Sequence, residues 1–279
     1  MRLLNSILAS AWMGWKREMS WTNPVASLLI KTVAPTAAVL SAAIVYWFGS
    51  SFVGLFTPER LAYIIVGASI YGQVAAYAYV PTAAIAEGKW SNLYPQVYIT
   101  PSSTVPYLAG RCLGSFVDSI PVVAISLFVS YYVSFPMFKA YPVIIISPVS
   151  VLMLAAALIV SLPTAMALGY LLGAYTVFVT KFEWALPSYV SGLLMIFSEA
   201  LFPASVLPYP FSLIPEILPF TYLMRASRDA LIYNSWSLYL GSMEYLTFGG
   251  LVFLAIGILI FRLAEDSARN KGFIDKKVM

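Results

Sequence analysis

Histidine is absent from this chain, and cysteine occurs once, at Cys112. The first absence removes imidazole as a general base, proton shuttle or metal ligand. The second removes paired-thiol zinc sites and any internal disulfide. Charge is scarce too: Asp, Glu, Lys and Arg make up 10% of the 279 residues, while 61% are hydrophobic. A soluble domain carries about 25% charged residues, so these few charges cannot cover a globular surface. The composition predicts an all-α integral membrane protein with almost no room for a separate soluble domain. The formal charge of +4 matters less than where the positive residues sit.

Nucleotide chemistry is missing as well. No GxxxxGK[ST] phosphate loop occurs, and Gly88-Lys89 runs into Trp90 without the upstream glycine frame. The chain therefore does not hydrolyse ATP by that route. Serine catalysis without histidine would need a lysine base, but Lys31 and Lys139 fall at span ends, where snorkelling accounts for them. Nothing resembles an enzyme site, and no metal or cofactor is expected on this chain.

What is present is long apolar sequence. Uncharged runs cover 32–58, 61–86, 119–138, 140–180, 184–198, 200–215 and 245–261. A membrane helix needs roughly 20 such residues, so the first three runs and the last give one span each. The third starts near Val105 and takes in Arg111 and Asp118. Run 140–180 is either one long tilted helix or two short ones broken at Pro163. Counting it once gives six spans with both termini on one side. That side then holds Arg2, Lys16, Arg17, Lys31, Lys89, Arg111, Lys181, Arg262, Arg269, Lys271, Lys276 and Lys277. The other holds Arg60, Lys139, Arg225 and Arg228. The positive-inside bias puts the termini in the cytoplasm of a cell that carries the chain in its plasma membrane. Trp12, Trp15, Trp21, Trp90 and Trp184 fall near the predicted inner borders, and Trp47 and Trp236 near the outer ones, as amphipathic rings should.

Three segments do more than span. In residues 1–24, Leu4, Ile7, Leu8, Ala11, Trp12, Trp15 and Met19 recur at helical spacing, with Asn5, Ser10 and Arg17 elsewhere on the wheel. This predicts an amphipathic helix in the inner interface. Ala9-Ser10-Ala11 resembles a signal-peptide cleavage site, but Asn5 interrupts a short apolar stretch and Lys16-Arg17-Glu18 follow at once, so cleavage is not expected. Residues 87–103 form the cytoplasmic loop, with Ser91-Asn92 placed to cap a short helical turn and Thr100-Pro101 to end it. Its aromatics, Trp90, Tyr94 and Tyr98, suit either a docking surface or lipid headgroups. In the outer region, 199–240, Pro203, Pro208, Pro210, Pro215 and Pro219 cannot share one helix. The segment should enter the bilayer after a short fifth span, break, and line or close a pathway.

Arg111, Asp118 and Glu199 are charges set within or beside apolar sequence, where charge is costly and often functional. Asp118 or Glu199 either contacts cargo or couples a proton. Otherwise Arg111 snorkels inward, Asp118 pairs with a polar neighbour and Glu199 faces an outer vestibule. Gly110-Arg-Cys-Leu-Gly114 and Gly169-Tyr-Leu-Leu-Gly173 are both GxxxG, which permits close helix approach.

Together these features resemble the permease subunit of a type-2 ABC (ATP-binding cassette) exporter. The resemblance rests most on 202–231: Phe202-Pro203, Leu207-Pro208, Leu218-Pro219-Phe220-Thr221-Tyr222, then Arg225 and Arg228. A second match is Glu87-Gly88, Thr100-Pro101-Ser102-Ser103 and Gly110-Arg111 in the loop between spans two and three. That loop has only Lys89 as a basic residue before Arg111, where the common bacterial form carries more arginines. The resemblance implies that 1–24 is a connecting helix, that 25–264 is the six-span domain, and that 265–279 is a basic cytoplasmic tail. It also implies docking to an ATPase through Glu87, Gly88, Lys89, Trp90 and Tyr94. Phe202, Pro203, Leu207, Pro208 and Pro219 would shape a re-entrant outer gate between spans five and six. Two ATPase chains would bind ATP and Mg, and a second permease copy or homologue would complete the pathway, with lipid around it and no role for nucleic acid. The rival is an ion-coupled secondary transporter or channel with no ATPase.

Overall fold

The computed structural model describes residues 2–20, 23–91, 93–98, 104–179, 182 and 185–273. Trp21, Asn92, the Thr100-Pro101-Ser102-Ser103 match, Lys181, Trp184, Lys276 and Lys277 lie outside the described residues. Among those described the chain is all-helical, with no strand.

Helix α1 (Arg2–Ser20) leads into α2 (Pro24–Val53) and α3 (Pro58–Trp90). Proline opens both long helices at a position that has no N–H to lose. Asn23 Oδ1 accepts from the Val25 N–H, and the Thr57 side chain accepts from the Arg60 N–H. Gly54 closes α2 in the left-handed conformation at φ 68°, the geometry glycine adopts without steric cost. Tyr46 braces the turn between them, its hydroxyl accepting from the Thr57 N–H at 3.0 Å.

A short helix α4 (Leu93–Tyr98) precedes α5 (Thr104–Phe138). Next come α6 (Pro148–Val160) and α7 (Leu162–Phe178), which divide the ambiguous apolar run. They meet at Ser161 rather than breaking at Pro163, because proline in the first turn of a helix costs no hydrogen bond. The Ala165 N–H still reaches Ser161 O across the junction at 3.0 Å. The pair runs on as one 31-residue candidate span, Pro148–Phe178, as the single-span reading requires.

After α8 (Ala185–Phe197) the chain breaks, as its prolines predict. Two single 3-10 turns, Ala204–Val206 and Phe211–Leu213, lead into α9 (Ile214–Ile217). Helix α10 (Pro219–Arg228), a π turn and α11 (Trp236–Asn270) complete the chain.

Among the described residues, five helical runs are long and apolar enough to cross a membrane: α2, α3, α5, α6–α7 and α11. At about 1.5 Å per residue, the shortest of them outreaches a hydrocarbon core of about 30 Å. The chain is thus a multi-pass helical membrane protein. Where six spans are expected from the sequence, the structure has five long helices and the 13-residue α8. At its far end α8 stops shortly before the backbone turns at Glu199, which sits at φ 58°.

Helix α3 is the central post. Of its most apolar window 61% is buried, against 17% for α2 and 22% for α11. The outward faces of α2 and α11 display Val45, Phe52, Phe248 and Leu259, which lipid would cover. Inside, small residues let helices meet. A Cβ on Gly257 would stand 2.8 Å from Ala167 O, and one on Gly173 would meet Ile85 and Phe261 at 3.1 and 3.3 Å. In lipid such close approach is a principal source of helix association.

Candidate functional site

The charged residues gather in three places, and the first is the end of the bundle where α1, α4 and the ends of α3, α5, α7 and α11 meet. Glu87, in the last turn of α3, pairs with Arg17 of α1, and its Oε2 lies 3.6 Å from Arg111 Nη2 of α5. Lys89 turns inward and is 2% exposed; its ammonium donates to Thr176 O at 3.2 Å and to Val177 O. Those carbonyls belong to the last turn of α7, where the helix runs out of N–H partners. The Val179 N–H reaches Thr176 O at 3.3 Å, and Lys89 adds its donors to both. Lys89 therefore acts as a side-chain cap on α7.

Tyr94 is fully buried and ties α4 down. Its hydroxyl donates to Glu265 Oε1 of α11 at 3.1 Å, and Thr104 at the start of α5 donates to the same oxygen at 2.5 Å. One carboxylate thus joins α4, α5 and α11. Gly88 allows the tight return of the chain, since a Cβ there would meet Tyr94 Cβ at 3.0 Å. Trp90 is the exception, 72% exposed at the rim. So of the residues expected to dock a partner, Trp90 faces outward, Glu87 is held by two arginines, and Lys89 and Tyr94 are spent on internal contacts.

Helix α1 is seated on α5 by Gly110 and Gly114. A Cβ on Gly110 would strike Ile7 O and stand 2.9 Å from Ala11 N, and one on Gly114 would stand 2.6 Å from Ala11 O. The apolar stripe read from the sequence accordingly divides. Ile7 and Ala11 turn toward α5, while Leu4, Leu8 and Trp12 stay exposed, as a helix resting on a membrane surface requires.

The second cluster sits in the proline-rich region. Arg225 grips Glu199 with two parallel bonds, Nε to Oε2 at 2.9 Å and Nη2 to Oε1 at 2.8 Å. The same guanidinium reaches Glu216, Nη2 to Oε1 at 2.7 Å. Planar two-bond pairing of this kind fixes orientation as well as charge. Arg228 is buried, donating to the Glu199 and Ala200 carbonyls at 2.5 and 2.9 Å with its guanidinium over the Tyr63 ring. Gly67 of α3 makes room, since a Cβ there would strike Ala200 O and Arg228 Nη2. Glu199 does not face a vestibule but is 6% exposed and locked into the turn, its Oε1 also accepting from the Ala204 N–H. Around it Phe202 and Leu207 are half-buried, Pro203 and Pro208 exposed, and Pro219 buried as the first residue of α10.

The third cluster lies between α2, α3 and α5. Lys31 Nζ donates to Asp118 Oδ2 at 2.6 Å. Lys31 thus has a defined partner across the bundle rather than only a snorkelling exit. The pairing joins residues 87 apart in sequence, so nothing in local spacing announces it. Nor could spacing find Glu265, which no sequence motif marks. No family model matches the chain, and no curated protein gives a match to it.

Proposed function

We propose that the chain is the permease subunit of a type-2 ABC exporter. In this reading it crosses the plasma membrane six times, with both termini cytoplasmic. α8 and the broken segment after it form the fifth, re-entrant passage. Two copies, or one copy and a homologue, enclose a pathway for an amphipathic cargo, and two separate ATPase chains bind ATP and Mg beneath them. Closure of the ATPases presses on α4 and opens the outer side, where 199–219 forms the gate.

The observation that carries this reading is the mounting of α4. A short helix joins the ends of two long spans and is fixed to a third through Tyr94, Thr104 and Glu265, while Trp90 stands exposed beside it. A push on such an element reaches α5 and α11 directly. A loop resting on headgroups would need no shared buried carboxylate.

The test is a mild-detergent pull-down of the full chain from its native membranes. A soluble subunit with a GxxxxGK[ST] loop should co-elute in stoichiometric amount. It should be lost with Trp90→Glu, which touches no internal ion pair, and more broadly with Glu87→Arg, which also breaks the contacts to Arg17 and Arg111. Elution without an ATPase sinks the proposal. It would direct attention to an ion-coupled carrier built on Asp118, whose Oδ1 has no hydrogen-bond partner.

A further inference from the structure

Among the described residues, Arg111 is a buried charge with little to satisfy it. Its side chain is 6% exposed, and neither Nε nor Nη1 has a hydrogen-bond partner. Nη2 stands 3.6 Å from Glu87, beyond hydrogen-bond reach, and Glu87 already serves Arg17. A buried guanidinium with idle donors is costly unless something neutralises it.

The space beside it is a cavity of about 210 Å³, bounded by Gly14 of α1, Lys31 of α2, Ala76 and Tyr79 of α3, and Arg111 and Asp118 of α5. A second cavity of about 200 Å³ adjoins it and shares Lys31, Ala76 and Asp118. Gln73 Oε1 and Ser69 Oγ in its wall, and Asp118 Oδ1, have no partner in the protein; a polar space of this size suits several waters. Among the described side chains here the cations outnumber the carboxylates. Lys31 pairs with Asp118 and Arg17 with Glu87, and Arg111 adds a further positive charge.

Further along the same two helices lies a third, apolar space. Ala38, Ala42 and Val45 of α2 face Ile64 and Ala68 of α3 around a cavity of about 520 Å³. From Lys31 to Val45 helix α2 runs roughly 21 Å at the helical rise, past all three spaces. A fixed positive end and a long apolar continuation match an amphiphile with an anionic head.

We propose that the Arg111 cavity holds the phosphate of an anionic phospholipid, with an acyl chain along the α2–α3 groove. Arg111 Nε and Nη1 supply the donors, and one negative phosphodiester balances the surplus charge. Two carboxylates stand nearby, and each already has a cation: Glu87 pairs with Arg17, and Lys31 holds Asp118 at 2.6 Å. The site depends on the chain lying in a membrane and not on its pairing with an ATPase.

The full chain, purified in mild detergent with whatever subunits accompany it and then stripped of lipid, is titrated with phosphatidylglycerol, phosphatidylcholine and inorganic phosphate. Bound lipid is counted by native mass spectrometry. Both lipids carry the phosphodiester, but the choline cation of phosphatidylcholine returns a positive charge to a site already rich in cations. Phosphatidylglycerol should therefore bind about tenfold more tightly, the scale of one ionic contact. Arg111→Gln should abolish the preference. Ala76→Leu changes no charge and fills the space, so it should do the same, and it decides the matter alone if the arginine variant fails to fold. Equal affinity for the two lipids, or a preference surviving Ala76→Leu, overturns the site. Displacement of the lipid by millimolar inorganic phosphate overturns the lipid assignment in favour of a free anion. Presence or absence of an ATPase in the same preparation is scored separately, so the two proposals fail independently.

Discussion

Arg225 holds two carboxylates of different standing. Glu199 is buried beneath it, whereas Glu216 lies in the short α9 with half its side chain in the open. The hydrogen bond from Arg225 holds the Glu216 carboxyl below its ordinary range, against a smaller opposing effect of burial. A lowered carboxylate pKa means that the folded state binds its proton less readily than the unfolded chain does. Stability from this contact is therefore complete above the unfolded pKa and fades as pH falls through the folded one. Glu216→Gln should lower the melting temperature at neutral pH, and the gap to the parent chain should close in acid. A gap that stays constant down to low pH would show that the charge of Glu216 contributes nothing. Lys89 shows the other residue-scale lesson. A lysine beside an exposed tryptophan in a polar loop reads as a surface group, yet its ammonium closes the end of α7. Sequence position told of its neighbours along the chain and nothing of the carbonyls waiting 87 residues away.

Among elements, the contact between α1 and α5 is the sharpest to test. Gly114→Leu sets a side chain where Ala11 O stands 2.6 Å from the first added carbon. Backbone cannot yield as a flexible side chain does, so α1 must lift. The cost should be about 1–3 kcal/mol, typical of overpacking. It would be read as faster proteolysis within residues 2–20 while the spans stay protected. Unchanged cleavage would mean that α1 is held by something other than this seat. The elements themselves were legible, because they follow from local chemistry. Uncharged apolar runs marked α2 and α3, amphipathic spacing marked α1, and crowded prolines marked the broken stretch after α8. Two things were not. Gly110 and Gly114 form a common pattern in apolar sequence, and only the partner helix shows that both are used. The 140–180 run held both a one-helix and a two-helix solution, and Pro163 proved harmless by falling in the first turn of α7.

For the molecule as a whole, the helix count governs which surfaces share a side. α2 leaves the α1 end of the bundle and α3 returns to it, bringing Glu87, one turn before Ser91, to Arg17 of α1. A single cysteine at Ser91 should thus label from the same face of sealed vesicles as one at Lys16, and one at Ser237 from the opposite face. The native Cys112, fully enclosed, should stay silent with a membrane-impermeant reagent. Labelling of positions 91 and 237 from one face would break the antiparallel arrangement assumed for transport.

The seat of α1 also orders events during synthesis. Residues 2–20 leave the ribosome before the glycines that receive them, which lie at 110 and 114, two long helices later. Until α5 emerges, α1 lacks the seat those glycines form. Its exposed Leu4, Leu8 and Trp12 offer an interim anchor on the lipid surface. Helix α1 is thus made well before its seat, so a chain stalled before residue 110 would hold it without the α5 glycines, with lipid contact taking a larger share.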